Sequence, residues 1–303
     1  MSKRLLTADI GGSKTRLRLL DMQGDLHQEI LGTGVASIID ETSALPTLDA
    51  LLEQIPQKES VGAIAINLGG RNTTQVQNSF RQYFPSTPIR IFRESEGTAA
   101  FALGEEYGAS IILMAGTGAI AVGHLDHQYV ITGGWGIHIG DDGSGYDIGL
   151  QAIRMSLRAL DGTSPLSPLT QFLCEQALPL APTSDPTRFR DRRDQVRERL
   201  LPLDRAHIAS LTKHVATFAE QGDATALRIF EYAGEKLSEL VTDTAKKLNI
   251  STPTVVVTGG LIHTRKFWAS RFESTLPNSP IHYVEDGLLR GTYRIAKELY
   301  ETR

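Results

Sequence analysis

The sequence predicts an α/β protein built from two similar halves. Short apolar runs alternate with helical stretches along the chain, which is the pattern of an α/β fold. The order strand, glycine turn, strand, turn, strand occurs twice, near residues 4–31 and 111–132. The 303 residues also match the length of about two ordinary domains. We therefore expect an internal duplication, with a cleft between the two halves.

The first half alternates strands with two helices. Leu45, Leu48 and Leu52 belong to an apolar series at i, i+3, i+4 spacing, which predicts a helix over 44–55. Residues 61–68 form a continuous apolar run, which is typical of a strand buried on both faces. The other predicted strands are 4–8, 16–20, 26–31 and 89–92, and a second helix covers 95–107.

The second half repeats the three-strand opening and then becomes mostly helical. Residues 162–205 are rich in proline and then in charge, which indicates an insertion that carries a solvated helix. The predicted strands are 111–114, 119–123, 129–132 and 254–257, and the predicted helices are 147–160, 205–221, 223–248 and 287 onward.

Composition excludes several classes of protein. Lys plus Arg is 31 and Asp plus Glu is 35, so a net charge of −4 argues against a nucleic-acid partner. Cys174 is the only cysteine, which rules out an intrachain disulfide, argues against a cysteine zinc site and makes the cytoplasm the expected location. No 18-residue apolar window occurs, so we expect no membrane partner.

The first candidate site is the segment from Asp9 to Thr15, which reads Asp-Ile-Gly-Gly-Ser-Lys-Thr. Glycines let backbone N–H groups approach a phosphate, and hydroxyls and a lysine add donors. The Asp9 carboxylate is suited to hold Mg²⁺ through water. The segment is not a Walker A loop, because Ser13 separates the second glycine from Lys14. Taken alone, it is equally compatible with a plain glycine hairpin turn.

Two further glycine turns follow buried strands. Gly116-Thr117-Gly118 joins two strands and is suited to phosphate, but it does not match the dinucleotide motif of a Rossmann fold. Gly259-Gly260 ends an apolar strand, where a flat ring or a phosphate can lie against the backbone. The second signal is weak, because many αβ units contain it.

The segment 133–149, with the sequence GGWGIHIGDDGSGYDIG, is the most unusual part of the chain. So many glycines lose conformational entropy on folding, which a purely structural loop rarely justifies. Asp141 can accept hydrogen bonds from vicinal hydroxyls, and Trp135 is an aromatic suited to a sugar. A glycine-rich surface loop remains the alternative interpretation.

Together and in this order, these segments resemble the actin, hexokinase and Hsp70 superfamily of phosphotransferases. The resemblance is greatest to the N-acetylglucosamine kinase and BadF/BadG/BcrA/BcrD-type ATPase family. It implies a two-lobed actin-like ATPase fold, a duplicated ribonuclease H-like fold with a central nucleotide cleft. The implied lobes are 1–109 plus 287–303, and 110–286 with a helical insertion near 162–250.

The resemblance also implies ATP and Mg²⁺ as cofactors and assigns residues to them. Asp9 matches the position that places Mg²⁺. The implied nucleotide-binding residues are Gly11, Gly12, Ser13, Lys14, Thr15, Gly116, Thr117, Gly118, Gly259 and Gly260. The implied sugar-contacting residues are Trp135, Asp141, Gly145 and again Thr117.

Three positions depart from the family pattern. The family places an aspartate base after the strand near 89–92, and Glu94 stands there with a side chain one methylene longer. A sugar-contacting asparagine falls at Ala36, and a serine falls at Leu68. We expect Glu94 to act as the catalytic base, the alternative being a residue that only begins a helix.

The sequence thus predicts an ATP-dependent kinase that phosphorylates a hydroxyl of N-acetylglucosamine or glucosamine. One alternative is a nucleotide switch or activator ATPase without a sugar acceptor, although a lone cysteine argues against an iron–sulfur cluster. Another alternative is a catalytically weak sugar-binding relative. The expected partner is a small-molecule sugar, and the family's frequent dimers leave a homodimer open.

Overall fold

The computed structural model describes residues 3–11, 14–34, 41–69, 73–93, 97–126, 128–178 and 189–302. The strands are β1 (Arg4–Ile10), β2 (Lys14–Leu20), β3 (Leu26–Thr33), β4 (Val61–Leu68), β5 (Ile89–Arg93), β6 (Ile111–Ala115), β7 (Ala119–Leu125), β8 (Gln128–Gly133), β9 (Val255–Thr258) and β10 (Ile281–Val284).

The helices are α1 (Glu41–Glu53), α2 (Thr73–Tyr83), α3 (Thr98–Tyr107), α4 (Gly145–Leu160), α5 (Pro168–Phe172), α6 (Phe189–Leu200), α7 (Arg205–Ser210), α8 (Thr212–Glu220), α9 (Ala224–Leu248), α10 (Ala269–Ser274) and α11 (Gly287–Glu301). Lys58–Ser60 and Gly260–Phe267 are 3₁₀-helical, and Leu173–Ala177 is a π-helical turn.

The chain divides into two compact units. The first comprises Met1–Ile112, His124–His127 and Val284–Arg303. Its five-stranded sheet has the order β3-β2-β1-β4-β5. The pairs β1–β2 and β2–β3 are antiparallel, whereas β1–β4 and β4–β5 are parallel.

Strand β4 separates the two cores of the first unit, because its side chains alternate between the faces of the sheet. Ile64 and Ile66 share one buried cluster with residues of α1 and α2. Ala63 and Ala65 share the other with residues of α3 and α11. All eight residues of β4 are buried, which confirms the prediction of a strand covered on both faces.

The second unit comprises Leu113–Gly123 and Gln128–Tyr283. The second sheet has the order β10-β9-β6-β7-β8. Counted from the first strand of each half, both sheets follow the order 3-2-1-4-5. The two halves therefore share one strand arrangement, which confirms the predicted duplication.

Helix α9 bears out the prediction of a long helix over 223–248. Asp223 precedes it, and its Oδ1 accepts hydrogen bonds from the N–H groups of Thr225 at 2.7 Å and Ala226 at 3.0 Å. A side-chain cap of this kind satisfies N–H groups that have no partner within the helix. Asn249 ends the helix in the left-handed conformation, with φ of 55°.

The prediction of one helix over 205–221 is wrong. Helices α7 and α8 replace it, with Leu211 between them. The Leu211 N–H donates to Ile208 O at 3.1 Å, and the His214 N–H donates to Leu211 O at 2.9 Å. These i to i−3 bonds tighten the backbone at the junction and break the regular helical period.

Several elements were absent from the sequence-based expectation, namely α2, α5, α10, β10 and the two 3₁₀ turns.

Among the described residues, none of the helices combines the length and the apolarity that crossing a bilayer would require.

Candidate active site

The glycine turn between β6 and β7 is held by the start of α4. The N–H of Gly145 donates to Gly116 O at 2.8 Å, and the N–H of Tyr146 donates to Thr117 O at 3.2 Å. Within the turn, the N–H of Gly116 donates to Gly118 O at 2.9 Å. In the described part of the chain, the N–H groups of Thr117 and Gly118 donate to no protein acceptor. The turn therefore keeps two backbone donors for an anion.

Residues of the segment 133–149 determine where α4 begins. The Ser144 hydroxyl caps the helix and accepts from the Asp147 N–H at 3.3 Å. The Asp147 carboxylate in return accepts from the Gly143 N–H at 2.8 Å. A Cβ on Gly145 would lie 3.0 Å from Gly116 O, so glycine permits the close approach of the helix to the turn. The structure thus places Gly145 against the turn Gly116–Gly118.

Asp141 lies beside the same turn and is only 5% exposed. Its Oδ1 accepts from the Ala119 N–H at 3.4 Å, and its Oδ2 lies 3.3 Å from Nη2 of Arg205. Burial raises the pKa of Asp141, while Arg205 and the N–H groups of Ala119 and Gly136 act in the opposite direction. Asp141 is therefore a buried carboxyl held by directed donors, as expected of a binding residue.

Trp135 and Asp141 border one cavity of the second unit. Its volume is about 250 Å³, and its wall also includes Ile139, Asp142 and residues of α9. The Trp135 side chain is 73% exposed, so its ring is open to a ligand. A cavity that combines exposed apolar side chains with carboxylates suits a molecule that has both C–H faces and hydroxyls.

Gly259 and Gly260 lie next to the same turn. Gly259 has φ of 107°, and a Cβ there would collide with Ala115 O at the end of β6. A Cβ on Gly116 would lie 3.7 Å from Gly260 N. Only glycine accepts the conformation and the contact at position 259. The structure therefore brings the two glycine segments of the second half together.

Asp9 lies at the end of β1 in the first unit, directly opposite Asn67 in the register of β1 and β4. The Asn67 Nδ2 donates to Asp9 Oδ1 at 2.9 Å. Burial raises the pKa of Asp9, and the Asn67 hydrogen bond, Lys14 and Arg16 act in the opposite direction. Sequence reasoning missed Asn67, although it is the one polar residue in the apolar run of β4.

The hairpin between β1 and β2 is closed by the Gly11 N–H, which donates to Lys14 O at 3.0 Å. Lys14 is exposed at the start of β2. Thr15 is fully buried, and its Oγ1 has no hydrogen-bond partner among the described residues. Gly12 and Ser13, which the family resemblance also assigns to the nucleotide, lie outside the described residues.

The predicted base and one of the family departures also lie outside the described residues. Strand β5 ends at Arg93, and α3 begins at Thr98 after Gly97 in the left-handed conformation, with φ of 69°. Glu94 falls between these elements, and Ala36 follows β3. Leu68 is described, and it is 1% exposed at the end of β4.

Comparison with known proteins identifies the family. The model of the BadF/BadG/BcrA/BcrD ATPase family matches residues 8–276. The chain belongs to this family. A curated relative, the N-acetylmuramic acid/N-acetylglucosamine kinase of Clostridium acetobutylicum, is 26% identical over 285 residues, which are 90% of each protein. The family resemblance drawn from the four segments is confirmed.

Solved structures confirm the fold class of this family member, the actin-like ATPase fold. A protein of Chromobacterium violaceum assigned as an N-acetylglucosamine kinase aligns over 99% of both chains, with a TM-score of 0.70 and 22% identity. A glucokinase of the ROK family from Streptomyces griseus, solved with glucose and AMPPNP, covers 97% of this chain and 99% of its own. Its TM-score is 0.64 and its identity 15%.

The side chains described at Asp9 fit Mg²⁺. The carboxylate supplies the oxygen that this cation prefers, and Asn67 holds its orientation. Among the described residues, no group of three or more His, Cys, Asp or Glu side chains is arranged to hold a metal. A single carboxylate is sufficient where phosphates and waters supply the other ligands, which is the usual arrangement in nucleotide sites.

We predict that Asp9→Asn stabilises the protein at neutral pH. Ionised Asp9 is unfavourable in the folded state, because burial raises its pKa above the ordinary value of 3.8. The penalty is absent below that value and grows as the pH rises through the raised pKa. Asparagine keeps the shape and an acceptor for Asn67 but carries no charge. Urea unfolding of both proteins at pH 3.5 and pH 7 measures the difference.

The expected result is similar free energies of unfolding at low pH and a higher one for Asp9→Asn at pH 7. Asp25→Asn, at an exposed position between β2 and β3 of the same unit, serves as the control for a general charge effect. A variant that is less stable than the natural protein at pH 7 would contradict the prediction.

Proposed function

We propose that the chain is an ATP-dependent kinase that phosphorylates a hydroxyl of an amino sugar, N-acetylglucosamine or glucosamine. The observation that carries this proposal is the position of Asp141. Its buried carboxyl lies between the turn with two unused backbone donors and the cavity that exposes Trp135. An acceptor site and a phosphate site thus adjoin within one unit. The named activity of the Clostridium acetobutylicum relative supports the same acceptor class.

The phosphates of ATP are assigned to the glycine segments. Thr117 and Gly118 offer backbone N–H groups, and in the first unit the phosphates are assigned to the sequence segment from Gly11 to Thr15. Gly259 and Gly260 are assigned to the adenosine, and the Cβ position of Gly260 has open space in front of it. Asp9 would hold Mg²⁺, which when bound neutralises phosphate charge. Asn67 keeps that carboxylate oriented.

The acceptor is assigned to the second unit and the proton transfer to Glu94. Asp141 accepts hydrogen bonds from vicinal hydroxyls, while the sugar ring lies at Trp135. Glu94 takes the proton of the attacking hydroxyl. The hydroxyl oxygen forms a bond to the γ-phosphorus, and the bond from that phosphorus to the β–γ bridging oxygen breaks. ADP and a sugar phosphate are the products.

The alternative of an activator ATPase is less well supported. Such relatives use several cysteines for a cluster at a subunit interface, whereas Cys174 is the only cysteine of this chain. The Cys174 side chain is 2% exposed, and its Sγ lies 3.9 Å from Ser156 O. A buried thiol of this kind behaves as a small core residue.

The test of the proposed function is ADP release from Mg-ATP in the presence of single sugars. The panel contains glucosamine, N-acetylglucosamine, N-acetylmannosamine, N-acetylmuramic acid and glucose, with a control without sugar. We expect glucosamine or N-acetylglucosamine to stimulate release. Release that no sugar changes would favour the activator ATPase. Tight ATP binding without any release would favour the catalytically weak relative.

We predict that Glu94→Gln abolishes most turnover and keeps nucleotide affinity. Glutamine retains the length of the side chain but cannot accept the proton, and loss of such a base costs about 10²–10⁴-fold in rate. Steady-state kinetics and ATP binding by calorimetry measure the two effects. Glu96→Gln, two residues away, is the matched control. Full turnover in Glu94→Gln would remove Glu94 from the role of base.

We also predict that Asp141→Asn weakens sugar binding more than ATP binding. The exposed Asp161→Asn, at the end of α4 and outside the cavity, is the matched control and should change neither. Lowering the pH protonates the Asp141 carboxylate and should reduce the affinity for sugar. Because burial raises the pKa of Asp141, this loss should begin at a pH above the usual aspartate range. The KM for sugar, measured from pH 4 to pH 8, reports this loss. Equal effects of Asp141→Asn on sugar and ATP would contradict the assignment.

A further inference from the structure

Arg205 reaches the site from a distant part of the sequence. It is the first residue of α7, and Asp204 fixes the start of that helix by accepting the His207 N–H at 2.8 Å. The Thr212 hydroxyl of α8 donates to Gly145 O at 2.8 Å. Helix α8, which follows the helix that carries Arg205, is thus bonded to the same end of α4 that holds the glycine turn.

The Arg205 guanidinium lies over Gly118. A Cβ on Gly118 would lie 2.5 Å from Arg205 Nη2 and 2.8 Å from Asp141 Oδ2. Glycine at position 118 is therefore the condition for a guanidinium and a carboxylate to meet above the turn. This contact places a positive charge beside the two unused backbone donors.

The turn has no positive charge of its own. No lysine or arginine occurs between Arg93 and Arg154, a stretch that includes β6, β7, the turn and the start of α4. Transfer of the γ-phosphoryl group of ATP, in contrast, spreads negative charge over the oxygens of that group, which positive side chains stabilise. Arg205 supplies the charge that this stretch lacks.

The chemistry of the side chain favours a phosphate ligand. A guanidinium offers five N–H donors in a plane and binds phosphate oxygens in pairs. Its contact with Asp141 is a single pairing at 3.3 Å, and the Arg205 side chain is 45% exposed. The guanidinium therefore retains donors that face away from Asp141.

We propose that Arg205 is a catalytic residue that binds the γ-phosphoryl group of ATP during its transfer. The proposal rests on the proposed kinase function and adds the residue that stabilises the transferred group. As the γ-phosphorus leaves the bridging oxygen and bonds to the sugar oxygen, the guanidinium donates to its equatorial oxygens. Asp141 holds Arg205 in place until the sugar hydroxyls occupy its carboxylate.

The test compares Arg205→Gln and Arg205→Lys with the natural protein, using the sugar that the panel identifies. Arg199→Gln, an exposed arginine of α6, is the matched control. We expect Arg205→Gln to lower kcat by about 100-fold, the usual effect of removing one donor to transition-state charge. The KM for sugar and the affinity for ADP should stay within about threefold, because neither involves the γ-phosphoryl group. Arg205→Lys should recover part of the lost kcat, and Arg199→Gln should lose none.

A second measurement separates catalysis from packing. Guanidinium ion at millimolar concentration should raise the kcat of Arg205→Ala and leave that of Asp141→Asn unchanged. If Arg205→Gln raises only the KM for sugar, Arg205 merely positions Asp141, and the proposal is overturned. A loss confined to N-acetylmuramic acid, the sugar with a carboxylate, would place the anion on the sugar and also overturn it.

The control on the proposed function is the natural protein itself. Absence of sugar-dependent ADP release from it overturns the kinase function and this inference together. Sugar-dependent release from the natural protein with undiminished kcat in Arg205→Gln overturns the inference alone.

Discussion

The hydrogen bonds from the start of α4 to the turn Gly116–Gly118 are the constraint on which the second unit's site depends. They direct the turn's carbonyls of residues 116 and 117 toward Gly145 and Tyr146. The N-terminal N–H groups of α4 are thereby used by protein acceptors, and the turn itself presents the remaining donors. Each bond contributes about 1 kcal/mol of net stability. Their larger effect is to fix a glycine turn that would otherwise be free to change conformation.

Asp9, which is half-buried, and Asp141, which is buried, share the same electrostatic arrangement. Asp9 and Asp141 are both penalised by burial, which raises their pKa, and both are partly compensated by a donor. The donor is the neutral amide of Asn67 in the first unit and the guanidinium of Arg205 in the second. Such unfavourable groups reduce stability and persist at sites where binding requires them. The two carboxyls are therefore better explained by ligands than by folding.

Much of this fold is predictable because its signals are local. The strands around both glycine turns, the buried run of β4 and the capped helix α9 all follow from spacing within the sequence itself. Helix α2 was missed because Val76 and Phe80 are its only large apolar residues that become buried. The break at Leu211 was missed because both flanking segments have ordinary helical spacing. Local patterns cannot register a tightened turn inside a continuous helical pattern.

The site residues that the sequence did not predict are those placed by long-range contact. Asn67 meets Asp9 through the register of two parallel strands 58 residues apart, and Arg205 meets Asp141 across 64 residues. Neither residue stands in a motif, so only the fold reveals its partner. The glycines were predictable for the opposite reason, since each glycine turn lies directly after its own strand.

The duplicated halves differ in how they obtain positive charge. The hairpin between β1 and β2 contains its own cation, Lys14, which is the first residue of β2. The corresponding turn of the second half contains no lysine or arginine. The cation beside it is Arg205 of α7, which follows the inserted helix α6 in the sequence. The insertion therefore does more than add a solvated helix, because the segment that follows it places the Arg205 guanidinium over Gly118. Two halves with the same strand order can thus obtain positive charge at equivalent turns in different ways. One turn has a lysine in its own hairpin, and the other depends on an arginine that follows an inserted segment.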